Sequence, residues 1–331
     1  MQTDRPSSGS GHWAGLQEKT SIAGIRLMLF IEKTFGHLPF TIVLGPVLLF
    51  YWLSDARLRR VSLDWLSTVN RYRPFLKGTP GWIDGLRHLT RFADTILDKF
   101  LASAGRLDCH SLSVENDTPF KNDPPDRGAI ILTSHVGCQE LLSAVSGEFT
   151  RHDIVVLQHT AHARQFHELL SQAGIQCARI HWIEVTSITP ATAMDLADRV
   201  EAGAYVVIAG DRIPVGSQKG QTTVTLMGRE ARLPTGGALL ALLLHCPLRM
   251  MTSTRNPTGK NLPRYRVRFE SIDESPRASR GERERWLREA MQTYAAHLEK
   301  ELLRSPYDWF NFFDFWARSE NETSDSRGAR H

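Results

Sequence analysis

The sequence predicts an α/β fold with a mostly parallel sheet flanked by helices, and three observations predict it. From about residue 129 onward, short β-rich runs take turns with helical stretches, the pattern of strands joined by crossover helices. The first of these runs, AIILTSH (129 to 135), is apolar until its last residues, as a buried strand is. A chain of 331 residues with 23% charged and 9% aromatic side chains is long enough for one large α/β domain or two modest ones, and has the composition of a folded protein.

The elements follow in order. Residues 1–12 (MQTDRPSSGSGH) are polar and rich in Gly and Ser and read as a flexible leader. Residues 13–60 hold LPFTIVLGPVLLFYWL (38 to 53), which carries no charge and is followed at once by Arg57, Arg59 and Arg60. The run is shorter than the roughly 20 apolar residues that span a bilayer, and Pro39, Gly45 and Pro46 interrupt it. Positive charge beside an apolar run marks a cytoplasmic membrane edge, so this segment is expected to contact a membrane, as a tilted span or an interfacial hairpin. A buried core helix with a solvated basic end is the alternative.

Residues 61–318 are expected to form the α/β domain. Its strand-like runs are AIILTSH, DIVVLQH, CARIHWIEV, AYVVIAG, TVTLM, PLRMMTST and YRVRFESI. Between them ARQFHELLSQAG, TPATAMDLADRVEAG and PTGGALLALLLH read as helices, with Thr189 and Thr235 available as N-caps. WLREAMQTYAAHLEKELL repeats Trp286, Ala290, Tyr294 and Leu298 at helical spacing and reads as an amphipathic cover helix. The polar stretch 319–331 reads as a disordered tail.

Charge and cysteine content narrow the function classes. The net charge of +4 favours an anionic partner without choosing between membrane and nucleic acid. Nothing has the spacing of an RNP motif or a zinc finger, so no nucleic-acid partner is expected. Cys109, Cys138, Cys177 and Cys246 lie far apart with no CxxC pair, which argues against a disulfide framework or a structural zinc site. The chain lacks a G-x-S-x-G elbow, and NPTGKN and GSQKGQT do not match a P-loop.

The candidate site begins at TSHVGCQELLS (133 to 143), where the first strand stops. In open α/β sheets ligands gather at the carboxyl ends of strands, and His135 falls at such an end. Gly137 would let a substrate approach the backbone, and the next helix would offer free N–H groups to an anion. Glu140 is placed to hold the imidazole in one tautomer, so that neutral His135 can take a proton from a hydroxyl. A strand-end histidine beside a solvated helix acid remains the plain alternative on spacing alone.

His135 and Glu140 fit the H-x4-D/E motif of the lysophospholipid acyltransferase superfamily, and SHVGCQELL resembles the branch of lipid A late acyltransferases. Three further blocks resemble that branch in order: IAGDRIP (208 to 214), MGREARLPTGGALLA (227 to 241) and PYDWFNFFDFW (306 to 316). The resemblance runs from about residue 13 to 317. Cys138 and Gln139 depart from the pair usual in the lipid A enzymes, and a sister group from clusters making aryl polyene or dialkylresorcinol lipids is at least as similar.

The resemblance implies direct acyl transfer from acyl carrier protein or coenzyme A to a hydroxyl of a lipid or lysolipid, without a cofactor or metal. It places the chain at the cytoplasmic face of a bacterial inner membrane. His135 would be the general base and Glu140 its orienting partner. Arg212 would bind phosphate or the developing oxyanion, Asp211 would position Arg212, and Thr235 and Gly236 would line a substrate groove. Two rivals stand beside this reading. One is a zinc-dependent hydrolase using His159, His162 and His167 of QHTAHARQFH with Glu168. The other is a non-catalytic membrane partner in a lipid-synthesis complex.

Overall fold

The computed structural model describes residues 34, 37–103, 112–116, 123–124, 126–139, 141, 152–158, 180–184, 189–213, 219–256 and 263–316. Within them the protein is α/β, with a seven-stranded sheet in the order β1-β9-β8-β2-β5-β3-β4. The strands are β1 (Leu112–Glu115), β2 (Ala129–Thr133), β3 (Ile154–Gln158), β4 (Ile180–Glu184), β5 (Tyr205–Ala209), β8 (Leu248–Arg255) and β9 (Tyr265–Asp273). From β8 through β4 the neighbours are parallel; β9 runs antiparallel to β8, and β1 is parallel to β9. Residues 1–12 and 319–331, expected as a leader and a tail, and the helix expected in ARQFHELLSQAG lie outside the described residues.

Both faces of the sheet are covered, which explains the unbroken apolar run of β2. Ile130 and Leu132 join a core that includes Trp65, Tyr294 and Leu298, while Ala129 and Ile131 join a second with Leu97, Leu101 and Val267. Successive residues of a strand point to opposite faces, so a strand covered on both sides is apolar at every position.

Among the described residues, three helices ahead of the sheet add to this layer: α1 (His37–Ser54), α2 (Ala56–Tyr72) and α3 (Trp82–Ser103). The apolar run is a single helix, with Pro46 inside it. It packs on α3, where the ring of buried Trp52 occupies the space a Cβ at Gly85 would need. Asp55 separates the first two helices and caps the second, accepting from the backbone N–H groups of Arg57 (3.0 Å) and Leu58 (2.9 Å). Arg59 returns to donate to the Trp52 (2.5 Å) and Leu53 (2.6 Å) carbonyls, satisfying orphan acceptors at the end of α1. No described helix is long and apolar enough to cross a membrane.

The expectations for TVTLM and for the Thr235 cap need correcting. TVTLM lies in β6 (Gln221–Leu226), which pairs antiparallel with β7 (Arg229–Pro234) in a separate two-stranded sheet. The first half of the block MGREARLPTGGALLA is therefore largely a strand of this hairpin, β7, ahead of the helix. Thr225 and Gln292 exchange hydrogen bonds of 2.8 and 3.0 Å, which ties this hairpin to α6 (Arg283–Arg304). Of the remaining helices, α4 (Pro190–Glu201) starts as expected, with Thr189 in a capping box, whereas Thr235 precedes α5 (Gly236–Leu244) without a side-chain capping bond.

Candidate active site

His135 and Asp211 each stand two places beyond a strand, the first after β2 and the second after β5. These strands are parallel neighbours with Thr133 opposite Ala209, and the same register carried onward brings the two side chains together. Asp211 Oδ1 lies 2.7 Å from His135 Nδ1, and Asp211 Oδ2 accepts the His135 backbone N–H at 2.9 Å. The carboxylate can only accept, so Nδ1 carries the proton and Nε2 is the basic nitrogen. Nε2 has no hydrogen-bond partner among the described residues, and 27% of the side chain is exposed.

The C-terminal aromatic segment completes the carboxylate's shell. Trp309 Nε1 and Asn311 Nδ2 donate to Asp211 Oδ2 at 3.1 and 3.2 Å. This segment lies against the His135 loop as a short antiparallel strap. Gly137 N–H donates to the Asp308 carbonyl (2.7 Å), Phe310 N–H donates to the His135 carbonyl (3.0 Å), and Val136 bridges to Trp309.

The helical layer holds the strap in turn. Trp65 of α2 donates to the Pro306 carbonyl at 2.8 Å and packs edge-on against Trp309. From α3, Arg91 pairs with Asp308 (3.2 Å) and His88 Nε2 lies 2.9 Å from the Trp309 carbonyl.

Arg212 follows Asp211 and turns to the same strap. Its Nε donates to Asn311 Oδ1 (2.7 Å) and its Nη2 to the Phe310 carbonyl (2.9 Å), with the guanidinium over the Phe313 ring. Burial lowers Arg212 to about 10, against the pull of Asp211, so it remains a cation at neutral pH. Burial also lowers His135 below its ordinary value; Arg212 and Lys99 push it further down while Asp211 pulls it back up. The imidazole is thus neutral at pH 7. For Asp211 burial works against ionisation, yet His135 and Arg212 outweigh it and hold the carboxyl well below the usual carboxylate range.

Of the sequence-predicted residues, His135, Asp211 and Arg212 come together at the carboxyl edge of the sheet. Gly137 sits beside them at φ 62°, a left-handed conformation that glycine adopts freely. A Cβ there would overlap the Ser253 carbonyl, so the close approach at Gly137 is made by β8 itself and not by open space for a ligand. Thr235 and Gly236 start the helix whose Gly237 tucks against Leu132 and Ile208, at the same sheet edge. Thr235 N–H donates to the Gly220 carbonyl (2.8 Å), and Gly236 faces open space. Glu140 lies outside the described residues. The partner on Nδ1 is Asp211, a residue expected from the resemblance only to position Arg212.

Sequence reasoning missed Lys99, Trp309 and Asn311. A polar residue inside WFNFFDFW was the only available signal for Asn311. Among the described residues no group of three or more His, Cys, Asp or Glu is arranged to hold a metal ion. His159, His162, His167 and Glu168 fall outside those residues. Comparison of the chain with models of known protein families and with curated proteins finds no match.

Proposed function

We propose that this protein is an acyltransferase of the lysophospholipid acyltransferase superfamily, similar to the lipid A late acyltransferases or a sister group. It moves an acyl group from a thioester on acyl carrier protein or coenzyme A to a hydroxyl of a lipid or lysolipid. The observation that carries the reading is a neutral, partly exposed imidazole with Nδ1 held by a buried ionised carboxylate and a guanidinium close by.

His135 Nε2 takes the proton of the acceptor hydroxyl as its oxygen bonds to the thioester carbonyl carbon. Negative charge gathers on the carbonyl oxygen, where the Arg212 cation favours it. Collapse breaks the carbon–sulfur bond, the thiolate leaves, and the imidazolium returns the proton to sulfur. Asp211 stabilises the imidazolium between these steps. The thioester is already activated, so no covalent acyl-enzyme is needed.

The membrane belongs to the same proposal. Helix α1 turns Leu48 and Trp52 inward and leaves Ile42 (66%), Phe50 (66%) and Leu53 (59%) exposed. An apolar outer face on a helix whose inner face is already packed suits the interfacial region of a bilayer, and at the cytoplasmic face of a bacterial inner membrane a lipid acceptor in the leaflet meets a soluble thioester donor.

Comparative lipid mass spectrometry on bacterial cells expressing wild-type or His135→Ala protein at equal levels tests the reading. A lipid present only with the wild type, heavier than its precursor by one acyl group, is the expected result. Identical profiles in a host able to make the substrates would overturn it.

A further inference from the structure

Asp211 and Arg212 are adjacent and oppositely charged, yet no ion pair joins them among the described residues. The carboxylate is used instead by His135, Trp309 and Asn311. The Asn311 amide touches both: Nδ2 donates to Asp211 Oδ2 at 3.2 Å while Oδ1 accepts from Arg212 Nε at 2.7 Å. Asn311 is buried, at 5% exposure, on a strap pinned by its own backbone and by Trp309.

An amide is suited to this position because it carries a donor and an acceptor on one rigid plane. A carboxylate would repel Asp211, and an aliphatic side chain would leave both neighbours unsatisfied. Without Asn311 Oδ1, the Nε donor of Arg212 gains a stronger charge-assisted alternative, the carboxylate of its neighbour in sequence, while Nη2 keeps the Phe310 carbonyl. That pairing would compete with Nδ1 of His135 for Asp211.

We propose that Asn311 is a positioning residue whose amide stands between Arg212 and Asp211 and thereby keeps the carboxylate on His135. Its use in catalysis rests on the acyl-transfer reading, but the arrangement is read directly on the imidazole. The charged groups acting on His135 are Asp211 beyond β5, Arg212 beside it and Lys99 on α3. Asn311 governs how the first two are divided.

The test is nuclear magnetic resonance of the full-length, histidine-labelled protein in micelles, with His135→Gln assigning the signal. In the wild type, Nδ1 is protonated, Nε2 is not, and a downfield Nδ1–H proton is expected. In Asn311→Leu that proton is expected to disappear and the His135 titration to fall by about one unit, because Arg212 now neutralises Asp211. Adding Arg212→Met to Asn311→Leu should restore the proton, since the competitor is gone. Asn311→Asp should move the titration the other way, upward, by placing a second anion near the ring; it carries the test if Asn311→Leu does not fold.

An unchanged proton and titration in Asn311→Leu would overturn the proposal. So would failure of Arg212→Met to restore the signal, which would make Asn311 an ordinary packing contact. These readouts need no substrate. Loss of the acyl-transfer reading in the lipid experiment therefore leaves them standing, and their failure leaves that reading untouched.

Discussion

Asp211 Oδ1 sits 2.7 Å from His135 Nδ1 because the two residues occupy equivalent places beyond the paired ends of β2 and β5. Backbone register, not a flexible side-chain encounter, sets the contact, and the His135 backbone N–H to Asp211 Oδ2 bond locks it. Pre-organisation of this kind keeps the imidazole in one tautomer without reordering at each turnover.

Replacing Asp211 by Asn is expected to keep the fold and lose the function. An amide cannot stabilise an imidazolium as a carboxylate does, and one of its ends would face the His135 donors with N–H groups. We expect product formation to drop by roughly 10²- to 10⁴-fold, measured as the wild-type-specific lipid, with circular dichroism unchanged. Asp211→Ala should also cost stability, about 3–5 kcal/mol in a denaturant titration, because buried donors lose their acceptor.

The rate should fall on the acid side only after the pH passes below the ordinary histidine value. Burial, with Arg212 and Lys99, holds His135 below 6.5, so the neutral base persists into mildly acidic solution. A single-proton acid limb with its midpoint under 6.5 is expected in a pH–rate profile, and a midpoint above 6.5 would contradict the assigned electrostatics.

Stability should also fall as the solution becomes acidic, and His88 contributes to the fall. His88 is buried between Ser62, 2.9 Å from its Nδ1, and the Trp309 carbonyl, and burial lowers it to about 4. Its folded value lies below its unfolded one, so its contribution is intact above 6.5 and is lost as pH falls toward 4. The loss is about 3 kcal/mol by pH 4. Urea unfolding at pH 7 and pH 4.5 should show the decline, and His88→Gln should flatten it. The His135 shift has the same sign.

Vesicle binding should depend on the outer face of α1. Ile42→Glu and Phe50→Glu change exposed residues, so folding should be unaffected while flotation with phosphatidylglycerol vesicles weakens roughly tenfold or more for each. Equal flotation of wild type and both variants would remove this helix from membrane contact.

Gly137→Ala is expected to destabilise the protein by at least about 2 kcal/mol in denaturant unfolding. It combines a left-handed backbone with a clash against the Ser253 carbonyl, two independent costs.

Much of the architecture was legible in the chain because it is written locally. Short β-rich runs taking turns with helical repeats determined an α/β fold with a mostly parallel sheet, and placed both His135 and the Asp211–Arg212 pair just past strand ends. The N-cap at Thr189 and the cover helix through Tyr294 were equally local. The hairpin of β6 and β7 was not, since TVTLM alone reads as one more strand of the large sheet and REARLP has no strand-like run of apolar residues.

What only the tertiary structure decided is which ends meet. That β5 lies beside β2, across 76 residues between His135 and Asp211, depends on strand pairing between distant segments, and no spacing motif encodes it. The same holds for Trp309 and Asn311, about 100 residues beyond the carboxylate that they complete. Helical and strand periods are short-range properties that a sequence displays directly. The partner of a buried charge is chosen by long-range packing, which exists only once the sheet has assembled and the strap has closed over its edge.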